Sequence, residues 1–131
     1  MTAAGSTAGA LAERYLRAVA AQDWATVESV LAPDVIRLGP YGDDFDHRDP
    51  YLGYLQRTMP ALPGYRLDID RVTEGGGGRV FVELRETVEI DGVPLVTHEC
   101  LAFEVAHGVV ARLAIYLRQD RGPSTDDGGM P

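Results

Sequence analysis

The chain has 131 residues, 45% apolar and 24% charged, a size and composition that predict one globular domain. Twelve arginines against twenty acidic residues, with no lysine, give a net charge of -8 and exclude a phosphate-backbone or anionic-membrane partner. A single cysteine, Cys100, excludes an internal disulfide and a multi-cysteine metal site.

Residues 1–6 are small and polar and read as a tail, lacking the basic region and apolar run of a secretory signal. No apolar run approaches the roughly 20 residues that span a bilayer. The sequence therefore predicts a cytoplasmic protein, with one domain over residues 7–119 and a second tail over residues 120–131, rich in Gly, Pro, Ser and Asp.

In chain order, Ala8, Leu11, Ala12, Tyr15, Leu16 and Val19 form one helical stripe, with Thr7 or Ser6 as its cap. Asp23 opens a short second helix that buries Trp24, Val27, Val30 and Leu31. A strand over Val35 to Leu38 leads to the loop Gly39-Pro40-Tyr41-Gly42-Asp43-Asp44. Asp49 as cap with Pro50 at the first helical position predicts a third helix, carrying Tyr51, Leu52 and Leu55 inward.

The second half alternates with period two. Strands are expected over Tyr65 to Val72, Arg79 to Ile90, Val93 to Val105 and Val109 to Arg118, with turns at Glu74 to Gly78, Asp91-Gly92 and Ala106 to Gly108. The Asp91-Gly92 turn pairs Ile90 with Val93. It follows that Leu84 faces Glu99, Glu86 faces Thr97, Val82 faces Leu101 and Val80 faces Phe103. A three-residue loop at Ala106 to Gly108 adds Val109, Ala111, Leu113, Ile115 and Leu117 to the same face. That face is apolar except for Glu86, Thr97 and Glu99.

Carboxylates on an apolar face are costly to ionise, and two diagonal neighbours repel one another, so at least one carboxyl should hold its proton to near-neutral pH. Such a group serves as a general acid or base. Glu86 and Glu99 are therefore the candidate acid/base pair. Tyr15, on the buried stripe, is a candidate hydrogen-bond donor, and Asp44 a candidate auxiliary base. Tyr41, Val82, Leu84, Leu101, Phe103, Leu113 and Ile115 are the expected walls of a substrate cavity. The acidic loop lacks a zinc or calcium pattern, and no metal or cofactor is expected.

Helices carrying Glu13-Arg-Tyr-Leu-Arg-Ala-Val and Asp23 lead to Gly39-Pro-Tyr-Gly, Phe45-Asp-His-Arg-Asp49 and Phe103-Glu-Val-Ala-His-Gly108. In this order the chain resembles the nuclear-transport-factor-like domains over about residues 8 to 119. That group includes ketosteroid isomerase, limonene epoxide hydrolase and the SnoaL-like polyketide cyclases. The resemblance implies an α+β cone, three helices packed into a strongly curved, mostly antiparallel sheet, and a homodimer joined through the outer sheet face. It places Tyr15 where ketosteroid isomerases hold their oxyanion tyrosine, Gly39 at their general base, and Leu101, one step from Glu99, near their second donor. Of the three polar residues of limonene epoxide hydrolase, Glu86 takes one place while Leu84 and Ile115 occupy the others. The SnoaL-like group implies a cofactor-free cyclase or isomerase acting on a small apolar polyketide, terpenoid or steroid-like molecule. A non-catalytic ligand-binding or assembly module and an epoxide hydrolase with altered acids are the alternatives.

Overall fold

A computed structural model of the chain describes residues 7–119; the two expected tails lie outside the described residues. Three helices, α1 (Ala8–Ala20), α2 (Trp24–Val30) and α3 (Arg48–Thr58), cover one face of a five-stranded sheet. The strands are β1 (Leu31–Leu38), β2 (Arg66–Gly76), β3 (Arg79–Ile90), β4 (Val93–Ala106) and β5 (Val109–Arg118). Their order is β1-β5-β4-β3-β2, with β1 parallel to β5 and every other pair antiparallel. This is the α+β cone. Among the described residues no helix is long and apolar enough to cross a membrane.

The helix starts follow capping chemistry. Thr7 Oγ1 accepts from Ala10 N at 3.0 Å, and Asp23 Oδ1 accepts from Thr26 N at 3.3 Å. The third helix starts earlier than its sequence suggests. His47, not Asp49, is the residue before the first turn, and it makes no side-chain cap bond. Asp49 sits within that turn, beside the exposed N–H groups it favours electrostatically, and Pro50 is accepted there because a first-turn N–H has no intrahelical partner.

The first strand is longer than expected because Leu31 and Ala32 continue the sheet, with an irregularity between Leu31 and Ile36 where Pro33 cannot donate to the ladder. Similarly, β2 runs on to Gly76, and only Gly77 and Gly78, at φ 63° and 80°, make its turn.

Asp91-Gly92 forms the two-residue turn, both residues at positive φ, and β3 and β4 pair as expected from Ile90–Val93 through to Val80–Phe103. The last hairpin differs. Its turn is the two residues His107-Gly108, and a register shift after Glu104 leaves Ala111 as an extra residue on β5. That bulge reconciles a two-residue turn with an apolar inner face. Leu113, Ile115 and Leu117 keep the expected face but lie opposite Phe103, Leu101 and Glu99, two residues from the register a three-residue loop would give. Nearer the turn it is Val110, not Val109 or Ala111, that is fully buried. Arg112 faces Glu104 on the outer surface.

The core joins Ala12, Tyr15, Leu16 and Val19 of α1 and Val27 and Val30 of α2 to Val80, Val82, Leu101, Phe103 and Leu113 of the sheet. α3 closes the other side with Tyr51 and Leu55. Toward the ends of β3, β4 and β5 the helices no longer fill the concave face, and a cavity opens.

Candidate active site

The cavity encloses about 360 Å³, within the range of small-ligand sites, and is open on one side. Leu16, Val19, Leu55, Met59, Leu62, Leu84, Val88, Leu101, Ile115 and Leu117 make it mainly apolar. Two polar clusters interrupt this lining.

The first comprises Tyr65, Glu86 and Glu99. Glu86 and Glu99 are diagonal neighbours on β3 and β4, since Leu84 pairs with Glu99 and Glu86 with Thr97. The Tyr65 hydroxyl, just ahead of β2, donates to Glu86 Oε2 at 2.5 Å. Burial pushes the Glu99 carboxyl up to about 9, and a hydrogen bond to Glu86 and the charge of Glu86 push the same way, opposed by the smaller effect of the Arg37 charge. Glu99 is therefore protonated at neutral pH and donates to Glu86. Burial and Glu86 also hold the Tyr65 phenol far above its ordinary range, so it remains a donor.

The second cluster is Arg37, Asp43, Tyr54, Tyr51 and Tyr15. Tyr15 and Tyr51, both 2% exposed, bring their hydroxyls to 2.5 Å. Arg37 Nη1 donates to Asp43 O at 2.6 Å and to Asp43 Oδ2 at 3.0 Å. Its guanidinium carbon lies 5.2 Å from the Tyr51 ring centroid and 5.4 Å from that of Tyr54, within cation–π range. Asp43 loses affinity for its proton: burial opposes ionisation, but the Arg37 hydrogen bond and backbone donors outweigh it.

The ion pair occupies the space of a missing side chain. A Cβ on Gly39 would lie inside van der Waals contact of Asp43 Oδ1 and Arg37 Nη1. Gly39→Ala should therefore displace the pair and lower stability by about 1–3 kcal/mol, the range for overpacking, as read by urea denaturation. A variant as stable as the parent would show that the loop yields freely.

Of the residues singled out in the sequence, Tyr15, Glu86, Glu99, Tyr41, Leu84, Leu101 and Ile115 line this cavity. Four do not. Val82, Phe103 and Leu113 are at most 1% exposed and lie in the core beneath the helices, where Phe103 meets the Tyr15 ring edge-on. Asp44 turns back to accept from Gly39 N at 3.0 Å, so it closes the loop and does not line the cavity. Its neighbour Asp43 faces the cavity instead.

Sequence reasoning passed over Arg37, Tyr51, Tyr54 and Tyr65 as site residues. Signals were present. Arg37 shares the buried side of β1 with Val35, and Tyr51 and Tyr54 are three apart on one helix. On the outer sheet face Arg85 pairs with Asp70 and not with Glu86 or Glu99. Among the described residues no group of three or more His, Cys, Asp or Glu is placed to hold a metal ion.

Solved structures with this architecture include an LEH-like epoxide hydrolase of M. tuberculosis, 22% identical, with a TM-score of 0.74 over 85% of this chain and 82% of that one. Bal32a, from a soil-derived mobile gene cassette, is 19% identical with a TM-score of 0.77 over 86% and 90% of the two chains. A putative ketosteroid isomerase of Kribbella flavida is 23% identical with a TM-score of 0.75 over 89% and 82%. At these identities the likeness is one of fold. No curated protein matches the chain. The family model for the SnoaL-like domain matches residues 12–113, from α1 into β5. The chain belongs to the SnoaL-like domain family.

Proposed function

We propose that the protein is an acid/base enzyme that isomerises or cyclises a small apolar carbonyl compound, polyketide, terpenoid or steroid-like, in this cavity. The observation that carries the reading is the Glu86–Glu99 pair, two carboxyls on one apolar wall with Glu99 protonated up to about pH 9. Glu86, already an acceptor of two hydrogen bonds, is the base, Glu99 the acid and Tyr15 a donor to developing negative charge on oxygen.

In ring closure, Glu86 takes a proton from the carbon beside a carbonyl, and the enolate carbon forms a bond to a second carbonyl carbon. Glu99 gives its proton to the new alkoxide oxygen. The proton gained by Glu86 then passes along their mutual hydrogen bond to Glu99, restoring the starting state. In isomerisation, Glu86 returns its proton to a different carbon of the same dienolate. Proton transfer of this kind needs an acid, a base and an oxyanion donor, which is why no cofactor enters the reading.

The lack of nucleic-acid or membrane partners remains part of this reading, as does a cytoplasmic homodimer. Phe81 and Tyr116, 41% and 58% exposed on the outer sheet face, support an interface there.

The test combines carboxyl-carbon NMR titration, assigned with Glu86→Gln and Glu99→Gln, with proton–deuterium exchange of apolar ketones, enones and epoxy-ketones in heavy water. A Glu99 value near 9 with catalysed exchange beside the carbonyl is the expected result. Ordinary values at both sites without exchange would move the protein to the binding-module reading.

A further inference from the structure

The apolar wall of the cavity does not stop at its rim. Val88, a wall residue, pairs with Leu95, and Ile90 pairs with Val93, so all four lie on the concave face that carries Glu86, Thr97 and Glu99. Leu95, Ile90 and Val93 are 54%, 53% and 64% exposed. They prolong the wall into solvent as one contiguous apolar strip. From Glu86 to Ile90 it runs about 13 Å, at ~3.3 Å per residue.

The strip is held in place. The Asp91-Gly92 turn fixes one register for the hairpin. Pro63 O accepts from Glu89 N at 2.8 Å, tying the edge of β3 to the segment after α3. Leu62, next to Pro63, is itself a wall of the cavity.

Charge and size select the occupant. Between Val88 and Thr97 the charged residues are Glu89 and Asp91, both acidic, so an anionic lipid surface is repelled. A second copy of the chain would bring the same acidic residues together. Three exposed side chains also fall well short of the roughly 800 Å² per partner of a stable protein interface. A single uncharged apolar chain needs only the width of two strands, and it meets the strip in continuity with an apolar cavity. Extended, it covers the distance from Glu86 to Ile90 in about eleven bonds.

We propose that Val88, Leu95, Ile90 and Val93 form a tail subsite, and that the substrate is a carbonyl compound whose linear, uncharged apolar chain leaves the cavity along it. The inference rests on the acid/base reading for placing the carbonyl beside Glu86 and Glu99, but its test needs no turnover. It narrows the substrate class to acyclic polyketides or terpenoids, or rings that bear such a chain. A compact fused ring system would not reach Ile90.

The probes are acetophenone and its 4-ethyl, 4-butyl and 4-hexyl derivatives, whose ring fills the cavity and directs the chain outward. Binding to the parent should tighten about twofold per added methylene, against about fourfold for complete burial, and so about 50-fold over the series. Ile90→Thr combined with Leu95→Thr keeps residues suited to strands while making the strip polar. That variant should bind acetophenone within about twofold of the parent and the hexyl compound about tenfold more weakly. In the parent, nuclear Overhauser contacts should join the end of the hexyl chain to the methyls of Ile90 and Leu95, a reading that needs no variant.

A series that is flat in the parent, one equally steep in the variant, or chain-end contacts to other methyls alone would each overturn the proposal. So would a variant that changes only the oligomeric mass, which makes the strip a contact between copies. A change only in co-sedimentation with phosphatidylcholine vesicles would do the same by making it a lipid contact. Ketone exchange decides the acid/base reading separately. The expected series without exchange keeps the tail subsite and rejects turnover, while exchange with a flat series keeps the enzyme and rejects the subsite.

Discussion

Glu99→Gln should lower the rate of ring closure or isomerisation about 10²–10⁴-fold, the usual contribution of a positioned general acid, while binding of a neutral ligand changes little. The amide keeps the shape of the carboxyl and a donor N–H toward Glu86, so the cavity stays intact. What it lacks is a proton to give and a way to receive one back. Glu86→Gln should cost a similar factor by removing the base. The double variant should be about as slow as either single one, because the two act as a unit. The pH profile separates this from a structural effect. Activity should fall as pH rises through about 9, where Glu99 loses its proton, and the residual activity of Glu99→Gln should not show that limb. A parent activity indifferent to pH across that region would remove Glu99 from the acid role proposed for it.

The β3–β4 half of the site was legible because a two-residue turn with both residues at positive φ has one register. Asp91-Gly92 names such a turn, and the register then dictates that Glu86 and Glu99 share a face with Leu84 and Leu101. Burial of that face follows from its composition, and the raised Glu99 carboxyl follows from burial. The Arg37 cluster was less legible for a physical reason. It assembles from β1, the following loop, α1 and α3, and strand period alone does not say that a charged side chain meets the rings of Phe45, Tyr51 and Tyr54 and a carboxylate. Asp43 and Asp44 are the sharpest case. They are adjacent and chemically identical, yet one faces the cavity and pairs with Arg37 while the other caps Gly39 N. Local loop geometry decides between them. The same limit explains Val82, Phe103 and Leu113: alternation gives the face, but helix placement decides where core ends and cavity begins.

Glu99 should also set how stability depends on pH. Its carboxyl titrates at an ordinary 4.5 when solvated, as in the unfolded chain, and at about 9 when folded. Between those values the folded chain holds more protons than the unfolded one, so stability falls with rising pH. The slope approaches about 1.4 kcal/mol per pH unit for one whole proton. The stabilisation is fully present below the unfolded value and is lost as pH rises through the folded one. Asp43 works in the opposite sense. Burial raises its proton affinity, but Arg37 and backbone donors prevail and depress it, so its contribution is present above the unfolded value and lost in acid. The parent should therefore be most stable in mildly acidic solution and lose several kcal/mol by the alkaline end of the range, a large share of an ordinary domain's total. Glu99→Gln removes the titration. Chemical denaturation from mildly acidic to mildly alkaline pH should give the variant a nearly level curve, crossing the parent and lying above it in alkali. A site that costs stability when its acid ionises, and is relieved when that acid is replaced, is the signature expected of the acid role proposed for Glu99. A parent as stable in mild alkali as in mild acid would mean that Glu99 ionises without penalty, and both predictions would fail together.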